Sequence, residues 1–335
     1  MMNLQANHKD VIRKIGILTS GGDAPGMNAA IRAVVRTAMS EKLLVEGIGH
    51  GYKGLVNKEF KHMYGYSVAD IIHRGGTVLK TSRCPEFRTE AGLDMAYQNL
   101  MDEGIDALVV IGGDGTFRGA LALHKRHPDV RIVGLPGTID NDLYGTDFTI
   151  GYDTAVNTVV DAVDKIRDTA GSHGILFFVE VMGRDAGFIA LNGGIATGSE
   201  DILIPETQTD IDNLIAKLEY DQRKQKTWGI IIVAEGEEMG GATQVAKLVK
   251  ERLPNYETRV TILGHIQRGG TPSYADRVLA SRLGYYSVKA LLEGKNCVMI
   301  GQVNNKIVHV PFEKATKHHQ QIDKEMLEVA RVLAL

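Results

Sequence analysis

The stretch with the densest chemistry is Leu135-Pro136-Gly137-Thr138-Ile139-Asp140-Asn141-Asp142, directly after the apolar run Arg131-Ile132-Val133-Gly134-Leu135. A loop leaving the carboxyl end of a buried strand is where open α/β sheets place their ligands. Kept extended, the stretch puts Thr138, Asp140 and Asp142 on one face, because side chains alternate along a strand. One hydroxyl and two carboxylates suit removal of a proton from a hydroxyl nucleophile, the second carboxylate raising the basicity of the first or holding a metal's waters. Asn-Asp clusters also mark plain solvated turns. The other loops decide between the two.

Two of those loops are rich in glycine. Ser20-Gly21-Gly22-Asp23-Ala24-Pro25-Gly26 leads from an apolar run into a helix starting near Met27. Inward-pointing N–H groups and a helix N-terminus together make a phosphate cradle. The loop is neither a P-loop, lacking Gly-Lys-Ser/Thr, nor a G-x-G-x-x-G fingerprint. Gly112-Gly113-Asp114-Gly115-Thr116 follows the apolar run Ala107 to Ile111. Three glycines around one carboxylate let a polyphosphate approach the backbone while Asp114 reaches its magnesium, an ion that keeps waters and takes one or two carboxylates. Other side chains have two readings each. Tyr52 packs on a flat ring or covers the core, and Arg83, beside Cys84, is directed at a phosphate or at solvent. Arg32 and Arg36, four apart on one helix, clamp a phosphate or form a solvated face. His265, near Arg268 on a glycine-rich loop, contacts a phosphate or sugar or is a packed core histidine.

The elements that must position these groups alternate. Apolar runs predict strands at Lys14–Thr19, Val45–Gly49, Ala107–Ile111, Arg131–Leu135, Leu176–Val181, Asp201–Ile204, Gly229–Ala234 and Arg259–Leu263, with two short ones near Val298 and Val308. Helical periodicity predicts a helix from Met27 with Ile31, Val34, Val35 and Ala38 inside, and another over Gly92–Glu103. A long helix over Thr154–Ala170 is expected to bury Val156, Val159, Val160, Val163 and Ile166. Asp210 opens a further helix with Ile211, Leu214, Ile215 and Leu218 inside, followed by Lys224 and Lys226, and one more runs over Ala275–Leu292. Residues 1–13 read as a polar tail.

With 335 residues, 44% of them hydrophobic, the chain can fill two domains or one large α/β unit. A formal net charge of -3 and no Lys/Arg block argue against nucleic acid as a partner. Two cysteines, Cys84 and Cys297, make no disulfide framework, and neither a leader nor a membrane-length apolar run occurs, so the cytoplasm is the expected location. Glycine contributes 38 residues, many of them where apolar runs end, which suggests backbone approaching a ligand.

Gly-Gly-Asp-Gly occurs in more than one kinase lineage; the ordered combination is more specific. Ser20-Gly21-Gly22-Asp23-Ala24-Pro25-Gly26-Met27-Asn28, Gly112-Gly113-Asp114-Gly115-Thr116, Pro136-Gly137-Thr138-Ile139-Asp140-Asn141-Asp142, Val181-Met182-Gly183-Arg184 and Gly264-His265-Ile266-Gln267-Arg268-Gly269-Gly270 appear in that order. Together they resemble the bacterial ATP-dependent 6-phosphofructokinases, from Lys14 onward. The resemblance implies an α/β homotetramer with two Rossmann-like three-layer αβα lobes and mostly parallel sheets. The ATP-binding lobe would take residues 14–150 plus about 266–313, and the sugar-phosphate lobe about 151–265 plus 314–335. It implies transfer of ATP's terminal phosphoryl to the 1-hydroxyl of fructose 6-phosphate, with Asp140 as base, Thr138, Asp142 and Arg184 supporting the transition state, and Asp114 at Mg²⁺. ATP would meet Gly22, Tyr52, Arg83, Cys84, Gly113, Asp114, Gly115 and Thr116. The sugar phosphate would meet Thr138, Ile139, Asp140, Met182, Gly183, Arg184, Glu235, His265 and Arg268, with Arg259 arriving from a neighbouring subunit. An effector site for ADP or phosphoenolpyruvate maps to Arg32, Arg36, Arg167, Glu200, Lys224 and Lys226.

Pyrophosphate-dependent relatives typically carry Asp at the position of Gly115 and Lys at that of Gly137, so the two glycines favour ATP. Two departures stand out. The family's interface arginine for the sugar's phosphate is Ile175 here, and the effector-site arginine before Tyr-Ser-Val is Gly65. They motivate a weakened regulatory or binding subunit as one alternative reading; a pyrophosphate-dependent phosphotransferase is the other.

Overall fold

A computed structural model describes residues 12–317 and 320–334. The expected tail lies outside the described residues over 1–11. Its last two positions are already built in: Ile12 is buried, and the Arg13 amide donates to Asp106 at 2.7 Å.

The chain forms β1 (Lys14–Thr19), α1 (Met27–Ser40), β2 (Leu44–Ile48), α2 (Tyr52–Val56), β3 (Phe60–His62), α3 (Glu90–Glu103), β4 (Ala107–Gly112), α4 (Asp114–Arg126) and β5 (Arg131–Pro136). It continues through α5 (Tyr152–His173), β6 (Ile175–Val181), α6 (Phe188–Thr197), β7 (Asp201–Leu203), α7 (Ile211–Arg223), β8 (Gly229–Ala234), α8 (Gly241–Arg252) and β9 (Glu257–Ile262). The last elements are α9 (Tyr274–Leu292), β10 (Val298–Val303), β11 (Lys306–Pro311), α10 (Phe312–Lys317) and α11 (Lys324–Leu333).

Two compact units result. The first takes the described residues through Thr138, Leu143–Gly151 and those from Gly270 to 317; the second takes Ile139–Asp142, Tyr152–Gly269 and 320–334. These boundaries differ from the expected ones. Residues 266–269 stay with the second unit, because Gln267 accepts a hydrogen bond from the Met182 amide there. Residues 314–317 stay with the first, where Phe312 of α10 stacks on Phe117 and Arg118 donates to the Thr316 carbonyl.

The first unit is a seven-stranded sheet of order β11-β10-β5-β4-β1-β2-β3, parallel except for the edge strands β3 and β11. β4 is buried along its whole length and β1 and β5 at every position but the first, the signature of a parallel sheet covered on both faces. Strand order reverses between β1 and β4. The loops at their carboxyl ends therefore flank the topological switch point, where doubly wound sheets bind ligands. On one face α1 buries Ile31, Val34, Val35 and Ala38, and Gly284 of α9 lies so close to α1 that a Cβ there would sit 2.7 Å from Ala33.

The second unit is a four-stranded parallel sheet, β7-β8-β6-β9. Its core is built on Phe178, Ile231 and Val233 with Leu214 and Leu218 of α7 and Val245 and Val249 of α8. Three departures from expectation occur here. Of the five residues expected inside α5, Val159 and Val163 are buried, while Val156, Val160 and Ile166 are half-buried. β9 is an edge strand with Val260 and Ile262 exposed. The C-terminal helix α11 has no apolar run long enough to announce itself, and none of its residues is buried.

Candidate active site

In the first unit the two glycine loops lock together at the switch point. The Ser20 amide donates to the Ile111 carbonyl at 2.9 Å, and the Thr116 hydroxyl donates back to the Ser20 carbonyl at 3.1 Å. Neither α1 nor α4 has a side-chain N-cap. The Met27 and Thr116 amides are taken by the Ala24 and Gly113 carbonyls, which leaves the helix dipoles and the Asp114 and Gly115 amides for anionic oxygens. Gly22 and Gly115 are exposed and Gly113 is half-buried. Arg83 is exposed and Cys84 half-buried, on a segment tied to the cradle by Thr81, whose hydroxyl donates to the Gly21 carbonyl at 2.5 Å. Thr138 stands beside the cradle, since a Cβ on Gly113 would lie 3.6 Å from that of Thr138. Its carbonyl accepts from the Thr149 hydroxyl at 2.6 Å.

Asp114 opens α4 and pairs with Arg118 one turn on, at 3.0 Å. The sequence signal for Arg118 is its i+4 spacing from an acidic first-turn residue. No group of three His, Cys, Asp or Glu side chains with metal-site geometry occurs among the described residues. One carboxylate on an open, glycine-flanked helix start fits an ion that draws its remaining ligands from phosphate and water, which is the habit of Mg²⁺.

Of the two readings of Tyr52, the structure has the one in which it covers the core. Its ring stacks on Phe87 with centroids 4.0 Å apart, its edge meets Gly119, and its hydroxyl donates to the Thr116 carbonyl at 2.5 Å. At 6% exposure, with burial holding the phenol's pKa well above its usual range, it braces α4 from within the core.

The loop after β5 does not stay extended. Ile139 and Asp140 form a bend and Asn141 takes a left-handed backbone, φ 54°. The simple alternation that would align Thr138, Asp140 and Asp142 is therefore broken. Thr138 belongs to the first unit and Ile139–Asp142 to the second. Asp140 and Ile139 are buried, Asp140 at 9% exposure, and Asp142 is half-buried.

In the second unit the remaining candidates converge on the carboxyl ends of neighbouring parallel strands. Met182, Gly183 and Arg184 follow β6, Glu235 follows β8, and His265 and Arg268 lie on the 3₁₀ turn Gly264–Arg268 after β9. Arg184 has φ 54°, costly for a residue with a Cβ, and such strain collects at functional sites. Glu235 stabilises it by accepting the Arg184 amide at 2.8 Å. Gly236 makes room, since a Cβ there would lie 2.1 Å from the Arg184 carbonyl oxygen. Arg259 stands apart. It sits mid-strand in β9, exposed and paired with Glu257 at 2.5 Å. Ile175 opens β6 opposite Glu257 and is 8% exposed.

The effector candidates fall in both units. Arg32 is half-buried and Arg36 exposed on α1. In the second unit the other four lie close along the chain's folded path: Arg167 donates to the Thr197 and Gly198 carbonyls and lies 5.9 Å from the Trp228 ring. Glu200, nearly buried, accepts the Ile230 amide at 2.5 Å and pairs with Lys226 at 3.3 Å. Lys224 caps the Tyr220 ring at 4.3 Å. Beside Gly65 in the first unit is an open cavity of about 410 Å³ lined by Lys61, His62, Tyr64, Tyr66 and Leu79. No described helix is long and apolar enough to cross a membrane.

The chain is similar to known proteins along nearly its whole length. A family model described as Phosphofructokinase matches residues 14–291. ATP-dependent 6-phosphofructokinase 2 of Bacteroides thetaiotaomicron is 56% identical over 97% of this chain and 99% of its own length. ATP-dependent 6-phosphofructokinase 1 of Thermus thermophilus is 52% identical over 97% of this chain and 100% of its own. Among solved structures, phosphofructokinase from Saccharomyces cerevisiae superposes with a TM-score of 0.84 at 39% identity, covering 96% of this chain and 46% of that one. A pyrophosphate-dependent phosphofructokinase from Marinobacter aquaeolei reaches a TM-score of 0.83 over 96% of this chain and 92% of its own, but at 20% identity it speaks for the fold alone. With a doubly wound sheet carrying the glycine cradle, a second parallel sheet carrying the Arg-Glu-His-Arg set, and near-full-length similarity to these enzymes, the chain belongs to the phosphofructokinase family.

Proposed function

We propose that the chain is an ATP-dependent 6-phosphofructokinase, converting fructose 6-phosphate to fructose 1,6-bisphosphate in glycolysis. The observation that carries the donor assignment is Gly115. A Cβ built there meets nothing within 4 Å, so the start of α4 keeps the room and the amides that a nucleotide's phosphates require.

Phosphoryl transfer asks the protein mainly to position the reactants and neutralise charge. Asp140 takes the proton of the 1-hydroxyl as that oxygen attacks the terminal phosphorus. Thr138 and Arg184 stabilise the charge on the transferring group, with Asp142 in support, and the bond to the departing ADP oxygen breaks. The amides of Gly113 and Gly115 hold the donor's phosphates, with Thr116, Gly22, Arg83 and Cys84 around the nucleotide. Asp114 would hold Mg²⁺, which when bound offsets charge on the phosphates. Met182, Gly183, Glu235, His265 and Arg268 bind the sugar phosphate with Ile139, and Arg259 serves a neighbouring subunit of a homotetramer. The enzyme works in the cytoplasm. Incubation with fructose 6-phosphate and Mg-ATP is expected to yield the bisphosphate and ADP in equal amounts; ATP hydrolysis without a sugar product would count against the reading.

Regulation follows from Gly65 and Ile175. An isoleucine cannot pair a phosphate, and losing one charge-assisted contact weakens sugar binding by about 1.5–3 kcal/mol. Arg32, Arg36, Arg167, Glu200, Lys224 and Lys226 would bind ADP or phosphoenolpyruvate with a reduced response. Saturation curves for fructose 6-phosphate should show a high half-saturation that either effector shifts little. Gly65→Arg is tolerated sterically, as its Cβ would meet only Met39 at 3.6 Å, and should tighten the effector response about tenfold. A steep, tight wild-type curve, or an unchanged response in the variant, would contradict this.

A further inference from the structure

Gln267 is completely buried in the 3₁₀ turn that carries His265 and Arg268. Its Oε1 accepts the Met182 amide at 2.9 Å. β6 ends at Val181, so this amide lies just past the strand, on a residue only 8% exposed. A buried N–H in that place needs an acceptor, and the Gln267 side chain supplies it. The same bond joins the loop of Met182, Gly183 and Arg184 to the loop of His265 and Arg268. The turn's own backbone adds one tie nearby, from the Leu263 amide to the Glu180 carbonyl at 3.0 Å. Further side-chain support is lacking at two atoms: Nε2 of Gln267 and Nε of Arg268 are buried with no hydrogen-bond partner among the described residues.

We infer that Gln267 is a positioning residue that sets the separation of these two loops, and through them the affinity for the sugar phosphate. The inference rests on the function proposed above. Small displacements of a binding group have large effects on rate and affinity, and groups that hold contact residues in place are part of a site's precision. The hydrogen bond of Gln267 joins two loops that both carry sugar-phosphate candidates, so the effect falls on that substrate.

The test is Gln267→Met, which keeps length and volume and removes the acceptor. Expected are a rise of about tenfold in half-saturating fructose 6-phosphate, with kcat and the KM for ATP within about twofold of wild type and the melting temperature little changed. Gln267→Glu, which restores an oxygen to the Met182 amide, recovers most of that rise. Should Gln267→Met not fold, Gln267→Asn, one methylene too short, takes its place with the same expectation of a sugar-selective rise. Unchanged fructose 6-phosphate saturation, equal damage to both substrates with a lowered melting temperature, or a Gln267→Glu variant as impaired as Gln267→Met would each overturn the inference. Binding of fructose 6-phosphate is measured in parallel by calorimetry. A wild type that binds the sugar without turnover defeats the function alone, and an unchanged Kd in Gln267→Met defeats this inference alone.

Discussion

Replacing Asp140 by asparagine should lower kcat about a thousandfold, within the range a positioned general base contributes. Asparagine matches the shape of aspartate and removes only charge and basicity. At 9% exposure Asp140 is held within the fold rather than waving in solvent, so the variant should keep its backbone bend and melt close to wild type. The KM for ATP should hardly move, because Asp140 has no part in the nucleotide cradle. Asp142, two residues on, does not substitute, since the bend and left-handed Asn141 set the two carboxylates in different surroundings. Single-turnover kinetics separate the chemical step from product release; retention of more than a tenth of wild-type kcat would show that another group takes the proton.

The second large effect is expected from Gly115→Asp. The position is exposed, its backbone is not left-handed, and a Cβ there meets no atom within 4 Å, so the fold should accept the change. The function should not. A second carboxylate beside Asp114, at a helix start that binds phosphates, places like charges together, which costs several kcal/mol. That corresponds to a KM for ATP raised on the order of a hundredfold, with fructose 6-phosphate binding preserved. Gly137 is a poorer place to probe the donor. A Cβ there would lie 2.9 Å from Ile111 and 3.1 Å from Met27, and a lysine would report repacking of the core as much as donor choice. If ATP kinetics survive in Gly115→Asp, the phosphates do not use this end of α4.

Where the sequence was legible and where it was not has a common physical cause. Continuous apolar runs and the 3.6-residue stripe depend on burial alone, and β1, β4, β8 and the buried face of α1 were readable to within a residue. The strand-end loops were readable because glycine and acidic residues have few other uses there. Groups whose role depends on a distant partner were not. Tyr52 became a core residue through Phe87 and Thr116, some 35 and 64 positions away in sequence. Gln267 stands within a recognised motif, yet only its contact with Met182 gives it a task. The bend after Thr138 depends on the left-handed backbone of Asn141, and asparagine permits that conformation without requiring it. Val156, Val160 and Ile166 fit a helical stripe and are half-buried all the same, because periodicity marks a face and not how deeply it is covered.

The most direct measurement is turnover of fructose 6-phosphate by the purified wild-type chain with Mg-ATP and with Mg-pyrophosphate in parallel, the product identified by ³¹P NMR. Fructose 1,6-bisphosphate formed with ATP, at a kcat/KM far above that with pyrophosphate, is the predicted result. Turnover with pyrophosphate alone would contradict the reading of Gly115 and Gly137, and no turnover with either donor would leave a sugar-phosphate-binding subunit in place of an enzyme.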